Sequence, residues 1–198
     1  MSETATSAET TTQPVPQKEV LDRAADALLT LAEERLWAEI TLRDIAVAAG
    51  VGFADLYSRA PGKAALLERL GARFDRAALD TAELEPAADA HDRLFEAVMA
   101  RLEAMEPHRA ALIAIGRSEG LAMVGPRLPR TARALLEASG IDTSGLGGAA
   151  RIAAMTAVWT RILVVWRDDD GALNRTMAEI DRQLKQMRRG LERVRAGY

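Results

Sequence analysis

The segment TLRDIAVAAGVGFADLYSRAPGKAALL at 41–67 constrains the fold of this chain more than any other. Thr41 and Asp44 form the Ser/Thr-x-x-Asp/Glu pattern of a capping box, which predicts a helix that begins at Leu42. Gly50 predicts the end of that helix, because glycine readily adopts the left-handed conformation that closes a helix. The segment therefore opens with one short helix whose two ends are both marked.

A second short helix follows the glycine turn. Gly52 can serve as its N-cap, and 53–59 is long enough for only about two helical turns. Pro61 and Gly62 then break the chain, and the apolar pattern predicts a longer helix over 63–78. Two short helices joined by a tight turn and supported by longer neighbours form a helix-turn-helix unit.

Helical patterns also occupy the rest of the chain. Apolar residues recur at steps of three and four from 17 to 35, which indicates an amphipathic helix, and no stretch alternates as a strand would. Only 4% of the residues are aromatic, and alanine and leucine supply most of the apolar fraction, which favours helix over sheet. We therefore predict an all-α fold, with further helices over 90–105, 108–118, 127–139, 147–168 and 172–194.

Composition narrows the function classes. The absence of cysteine excludes disulfides, thiol catalysis and cysteine-based metal sites. The first 16 residues are rich in Thr, Ser, Glu and Pro and predict a disordered tail over 1–16. Arginines interrupt the longest apolar runs, so we expect a soluble chain with no membrane span. A net charge of −3 is not that of a general polyanion binder, although 41–79 carries six basic and four acidic residues.

The residues of 20–78 resemble the TetR-type one-component transcriptional regulators. The likeness rests on TLRDIA at 41–46, AGV at 49–51, LY at 56–57, and Lys63 followed by ALL at 65–67. The resemblance implies an N-terminal three-helix helix-turn-helix DNA-binding domain over 17–78 and a C-terminal helical regulatory and dimerisation domain over 79–198. The later helices match the family in number and order more than in residue identity.

The same resemblance implies a function. Regulators of this type, usually repressors, bind a palindromic operator as homodimers and release it when a small molecule enters the C-terminal domain. We expect the last two long helices, 147–168 and 172–194, to form the dimer seam, with their large apolar faces packed against the partner's pair. A cytoplasmic protein that needs no cofactor, binds no metal and is not an enzyme fits this interpretation.

Several residues are then candidates for contacts with the phosphates of DNA. The Thr41 hydroxyl and its helix N-terminus can donate to a phosphate, and Lys63 adds charge to the start of the next helix. The Tyr57 phenol is placed to reach the DNA backbone, and Arg43 and Arg59 could add salt-sensitive contacts.

Base contacts would fall to the second short helix, which follows Gly52. The candidates are Phe53, Ala54, Asp55 and Ser58. A carboxylate can accept from cytosine N4, and Phe or Ala can contact a thymine methyl group. Where the family usually has Ser, Thr, His and Phe, this chain has Gly52, Asp55, Arg59 and Ala60, which leaves the reading face less polar.

An alternative interpretation follows from that departure. The segment 141–184 is similar to the C-terminal part of the ubiquinone-biosynthesis accessory proteins, which resemble TetR regulators in fold but bind lipid instead of DNA. Either interpretation predicts a pocket for a small apolar ligand or lipid between helices. The candidate lining residues are Met99, Leu102, Met123, Met155 and Trp159.

Three further candidates for catalysis or metal binding are set aside. The run 116–120 matches G-x-S-x-G, but a nucleophile elbow needs a preceding strand and a later histidine, and His91 and His108 both precede Ser118. These histidines also lack zinc-binding spacing. The three carboxylates at 168–170 cannot all converge on one metal ion without other ligands, so we predict a solvated loop there.

Overall fold

The computed structural model describes residues 17–83, 89–169, 171 and 173–196, and it describes no side chain of 17–18, 121–124 or 193–196. The tail predicted over 1–16 lies outside the described residues. Within the described ranges all regular structure is helical, which confirms the predicted all-α fold. The helices are α1 (Gln17–Glu34), α2 (Leu42–Ala49), α3 (Phe53–Arg59), α4 (Lys63–Asp80), α5 (Ala90–Met105), α6 (Arg109–Val124), α7 (Leu128–Ala138), α8 (Gly145–Arg167) and α9 (Asn174–Ala196).

The helix-turn-helix unit is built from α2 and α3 against α1. The predicted capping box is present, since the Thr41 hydroxyl accepts from the Asp44 N–H and the Asp44 carboxylate accepts from the Thr41 N–H. Gly50 closes α2 in the left-handed conformation, at φ 61° and ψ 40°. Leu56 is the fully buried anchor of α3.

Helix α4 connects this unit to the rest of the chain. It packs against α1 on one side and against α5 and α7 on the other. Leu66, Leu70 and Phe74 are buried along it, and complete burial of such a side chain contributes about 1.5–3 kcal/mol. One continuous helix therefore contacts both α1 of the helix-turn-helix unit and the later helices α5 and α7.

The same core continues around α8, which packs against α7 and α9. Met155, Trp159 and Ile162 are buried there. By length and composition alone α8 could cross a membrane, whereas the sequence predicted no such stretch. One helix of this kind is weak support for a membrane span, because core helices pass the same test and these three residues bury one of its faces.

The acidic turn after α8 differs from the predicted solvated loop. Asp169 is only 4% exposed. Its carboxylate accepts from the Thr176 N–H at 2.9 Å and from the Thr176 hydroxyl at 2.7 Å, so it stabilises the first turn of α9. Asp168 remains exposed and pairs with Arg167, while Asp170 lies outside the described residues.

Helix α6 is longer than the sequence predicted and is bent. It reaches Val124 across a kink at Gly120, whose φ of 61° and ψ of −166° are not helical. The G-x-S-x-G run therefore lies on a helix instead of between a strand and a helix. Ser118 is exposed on that helix and does not have the geometry of a nucleophile elbow.

Candidate DNA-reading surface and ligand cavity

Helix α3 presents an exposed face of small and aromatic side chains. Phe53 is 47% exposed and Tyr57 is 54% exposed, with ring centroids 6.0 Å apart. Gly52, Ala54 and Ser58 are also exposed beside them. This exposed pair of neighbouring aromatic rings makes the face a candidate contact surface.

Asp55 does not project from this face as an isolated charge. Its carboxylate forms an ion pair with the Arg59 guanidinium, one helical turn away. Arg59 also donates to the Asp55 carbonyl at 3.0 Å, and the Ser58 hydroxyl donates to the same carbonyl at 2.8 Å. The spacing of four residues places the two side chains side by side on the helix. The acid and the base therefore offset each other, and neither charge is free to act alone on DNA.

The Thr41 hydroxyl is engaged at the N-terminus of α2. It donates to the Asp44 carboxylate at 2.6 Å, and this bond, with the Thr41 N–H bond, holds the pKa of Asp44 below its usual range. A phosphate that approached this terminus would compete with Asp44 for the hydroxyl. Arg43, the next residue but one, is exposed to solvent.

Lys63 is directed into the protein at the start of α4. Its ammonium donates to the Trp37 carbonyl at 2.8 Å and lies 4.1 Å from the centroid of the Trp37 ring. Burial lowers the pKa of Lys63, and the negative charge of Glu119 opposes that shift. A phosphate contact by Lys63 would require its ammonium to leave the Trp37 carbonyl.

A cavity of about 550 Å³ lies among α4, α5, α6, α7 and α8. This is within the usual size range of small-molecule pockets. Most of its lining is apolar, and that lining includes Leu70, Phe74, Met105, Leu112, Ile115, Leu128, Leu163 and Trp166.

Among the side chains that the sequence nominated for a pocket, Trp159 borders this cavity. Met99, Leu102 and Met155 do not border it, because they pack into the helical core instead. The side chain of Met123 lies outside the described residues. An apolar side chain at helical spacing fits a core and a pocket equally well, so the pattern could not separate these positions.

One polar cluster borders the cavity. Arg101 on α5 is 6% exposed and donates through Nε to the Asp75 carboxylate at 2.8 Å. Thr131 donates to the same carboxylate oxygen at 3.0 Å. Burial lowers the pKa of the Arg101 guanidinium from its ordinary value, and Asp75 opposes that shift. The sequence reasoning missed this cluster, whose members come from three helices.

Comparisons with known proteins identify the fold of the chain. No protein-family model matches the chain, and no curated protein matches it. A TetR transcriptional regulator from Rhodococcus sp. RHA1 matches 86% of this chain and 96% of its own length, with a TM-score of 0.65 at 19% identity. The TetR transcriptional regulator from Nitrosomonas europaea matches 84% of this chain and 97% of its own length, with a TM-score of 0.65 at 22% identity. The chain has the TetR fold.

A third match agrees in fold. The TetR family repressor AlkX from a Dietzia strain, implicated in biodegradation of n-alkanes, covers 84% of this chain and 95% of its own length, with a TM-score of 0.54 at 19% identity. These neighbours are all transcriptional regulators, so the comparison does not favour the ubiquinone-accessory alternative. The predicted N-terminal helix-turn-helix and C-terminal helical arrangement is that of the TetR fold.

In this TetR-fold chain, one side-chain contact joins the cavity wall to the helix-turn-helix unit. Trp37, in the turn that precedes α2, donates its indole N–H to the Glu119 carboxylate on α6. Glu119 borders the cavity and lies immediately before the Gly120 kink. Sequence reasoning missed Glu119 as a functional candidate, since its partner lies 82 residues away.

Proposed function

We propose that this chain is a TetR-type transcriptional regulator of the cytoplasm that represses by binding operator DNA as a homodimer and releases it when a small molecule occupies the cavity. The observation that carries the proposal is the course of α4. The helix begins at Lys63, four residues after the end of α3, packs against α1 as α3 does, and continues as a wall of the cavity through Leu67, Leu70 and Phe74.

The exposed face of α3 supports contact with DNA bases. Phe53 and Ala54 can contact thymine methyl groups, and the Ser58 hydroxyl can contact a base edge. Gly52 lets the duplex approach the start of the helix closely. Asp55 can accept from a cytosine only if its carboxylate first separates from the Arg59 guanidinium.

The outer parts of the unit support contact with phosphates. Tyr57 and Arg43 are exposed and can reach the DNA backbone without breaking a contact seen in the free protein. Thr41, Arg59 and Lys63 each have a partner in the free protein, so a phosphate contact by any of them exchanges one bond for another. We therefore assign the salt-sensitive part of binding first to Arg43.

The homodimer is proposed through α8 and α9, within 147–168 and 172–194. Ala153, Ala157 and Val164 are exposed along one side of α8, opposite its buried face. Their spacing of four and seven residues places them along one mainly apolar strip, with Thr160 between Ala157 and Val164, and a second copy of the same helix would cover this strip. Two helix-turn-helix units joined in this way can read the two halves of a palindrome.

The proposal is tested by measuring binding of the purified chain to fragments of its own upstream intergenic DNA, at two salt concentrations and with excess random DNA. Binding that survives competition and weakens with salt is expected for a sequence-reading regulator. A reporter under the bound promoter should be expressed more strongly when the chain is removed. Absence of binding to these and to genome-wide fragments would overturn the proposal.

A further inference from the structure

The buried arginine of the cavity wall is more than a packing element. Arginine is among the residues that are almost never fully buried unless paired, because removal of its charge from water is costly. Arg101 is nevertheless 6% exposed and borders a mostly apolar cavity. Its surroundings therefore show which hydrogen-bond donors it still offers to a ligand.

The guanidinium of Arg101 is well satisfied on one edge and poorly satisfied on the other. Its Nε bond to Asp75 has ordinary length at 2.8 Å. Nη1 is directed at the Met105 sulfur, which is a weak acceptor, and Nη2 lies 3.4 Å from the Thr131 hydroxyl, beyond the usual range for such a bond. A guanidinium has five N–H donors, so its Nη edge remains suited to a strong acceptor.

Two aromatic rings lie against the guanidinium. The Arg101 guanidinium lies 4.7 Å from the centroid of the Trp159 ring and 5.9 Å from that of Phe74. Both rings border the cavity. A ligand that reached the Nη edge would therefore place an acceptor against the guanidinium and a hydrocarbon body along the remaining apolar wall.

The charges of the wall favour an anion. Five arginines and three carboxylates border the cavity, and Asp168 pairs with one of these arginines just outside it. Arg130 pairs with Glu68 and Arg167 pairs with Asp168, so the five arginines and, with Asp168, four carboxylates leave one net positive charge. A net positive charge around a cavity attracts anions and disfavours cations.

We propose that the cavity binds a carboxylic acid with an apolar body, whose carboxylate accepts hydrogen bonds from the Nη atoms of Arg101 while Asp75 stays on Nε. As an effector assignment, this rests on the regulator function proposed above. The binding itself does not, since it can be measured on the free protein. Charge-assisted bonds from arginine to a carboxylate are among the strongest hydrogen bonds in proteins.

The first test compares three probes of equal chain length on the full-length protein by titration calorimetry: decanoate, decan-1-ol and decylammonium. Decanoate is expected to bind at least about tenfold more tightly than decan-1-ol, and decylammonium most weakly. Equal or tighter binding of the alcohol, a preference for the ammonium, or no binding of any of the three would overturn the proposal.

The second test replaces the donor while keeping the charge. Arg101→Lys retains a cation beside Asp75, so the fold keeps its buried pair, but it removes the forked geometry that suits a carboxylate. We expect about a tenfold loss of decanoate affinity with decan-1-ol affinity unchanged. Should Arg101→Lys fail to fold, the double variant Asp75→Asn with Arg101→Gln replaces the pair by two neutral groups, and it should bind both probes alike. Retention of the decanoate preference in either variant would show that the carboxylate binds elsewhere.

Operator binding separates this inference from the function on which it rests. If decanoate binds through Arg101 but the protein binds no DNA, the proposed regulator function is wrong and the proposed ligand class stands. If the protein binds operator DNA but does not discriminate decanoate from decan-1-ol, the regulator function stands and the proposed ligand class is wrong. Both together predict that decanoate weakens operator binding and that decan-1-ol does so only at higher concentration.

Discussion

Trp37 and Glu119 are joined by a hydrogen bond from the indole N–H to the carboxylate, across 82 positions of sequence. Trp37 also holds Lys63 through its carbonyl, at 2.8 Å, and through its ring. The start of α4, the turn before α2 and the kinked helix α6 therefore meet at one indole. Under the proposed function, we expect a ligand in the cavity beside Glu119 to act on the helix-turn-helix unit through this junction.

Removal of the acceptor at Glu119 should destabilise the protein. Glu119→Leu leaves the part-buried indole N–H without a partner, and we expect a loss of about 1–3 kcal/mol in the free energy of unfolding. Glu119→Gln is the matched control, because its amide oxygen still accepts from Trp37. Urea denaturation followed by circular dichroism measures both. Equal losses in the two variants would mean that the charge of Glu119, not its acceptor, stabilises the junction.

Asp55 restrains Arg59, so its replacement should strengthen DNA binding. Asp55→Asn removes the ion pair and releases the Arg59 guanidinium to a phosphate. We expect several-fold tighter operator binding at low salt. The slope of log affinity against log salt concentration should become steeper by about one, as expected for one added phosphate contact. Asp55→Asn combined with Arg59→Gln should lose that gain. Weaker binding confined to operators with a cytosine at one position would instead identify Asp55 as a base-reading residue.

The local parts of this arrangement were readable from sequence. The capping box depends on residues three apart, and the left-handed closure depends on a single glycine, so Thr41, Asp44 and Gly50 were placed correctly. The pairing of Asp55 with Arg59 follows equally from a spacing of four residues. That signal was present, and our sequence interpretation assigned the two charges separate contacts with DNA.

The distant parts were not readable. The position of Lys63 at the start of a helix gives no sign of its partner. Only the folded chain shows that its ammonium donates to the carbonyl of Trp37, 26 residues earlier. Arg101 and Asp75 are likewise 26 residues apart on different helices. Helical periodicity shows which side of a helix is apolar, but not whether a neighbouring helix fills the space beside it or leaves a cavity.

Arg43 provides the simplest measure of phosphate contact, since it is exposed on α2. Arg43→Ala should weaken binding to operator and to random DNA alike and reduce the salt slope by about one. Arg133→Ala removes the same charge from an exposed position on α7, remote from the reading helix, and serves as the control. Fluorescence anisotropy at several salt concentrations gives both slopes. An unchanged slope for Arg43→Ala would remove this residue from the DNA interface.

The cap of α2 should make stability depend on acid pH. In the folded state the Thr41 bonds lower the pKa of Asp44 below its ordinary value of 3.8. The charged carboxylate therefore stabilises the fold fully above pH 3.8, and this stabilisation is lost as the pH falls through the lowered pKa. Asp44→Asn lacks this titration. The melting temperature of the native chain should therefore fall towards that of Asp44→Asn as the pH is lowered from 5 to about 2. A constant difference between the two across this range would mean that Asp44 is not charged in its cap.

The apolar strip on α8 predicts the oligomeric state. Ala157 is exposed between Ala153 and Val164, so Ala157→Arg places a charged side chain in the centre of the strip without entering the core. We expect the native chain to be a dimer in light scattering, and Ala157→Arg to be a folded monomer that binds a half-site only weakly. Ala110→Arg introduces the same side chain at an exposed position on α6 and should remain dimeric. A dimer that survives Ala157→Arg and still binds a full palindrome would place the contact between copies elsewhere. In that case the spacing of the two reading helices would no longer be set by α8.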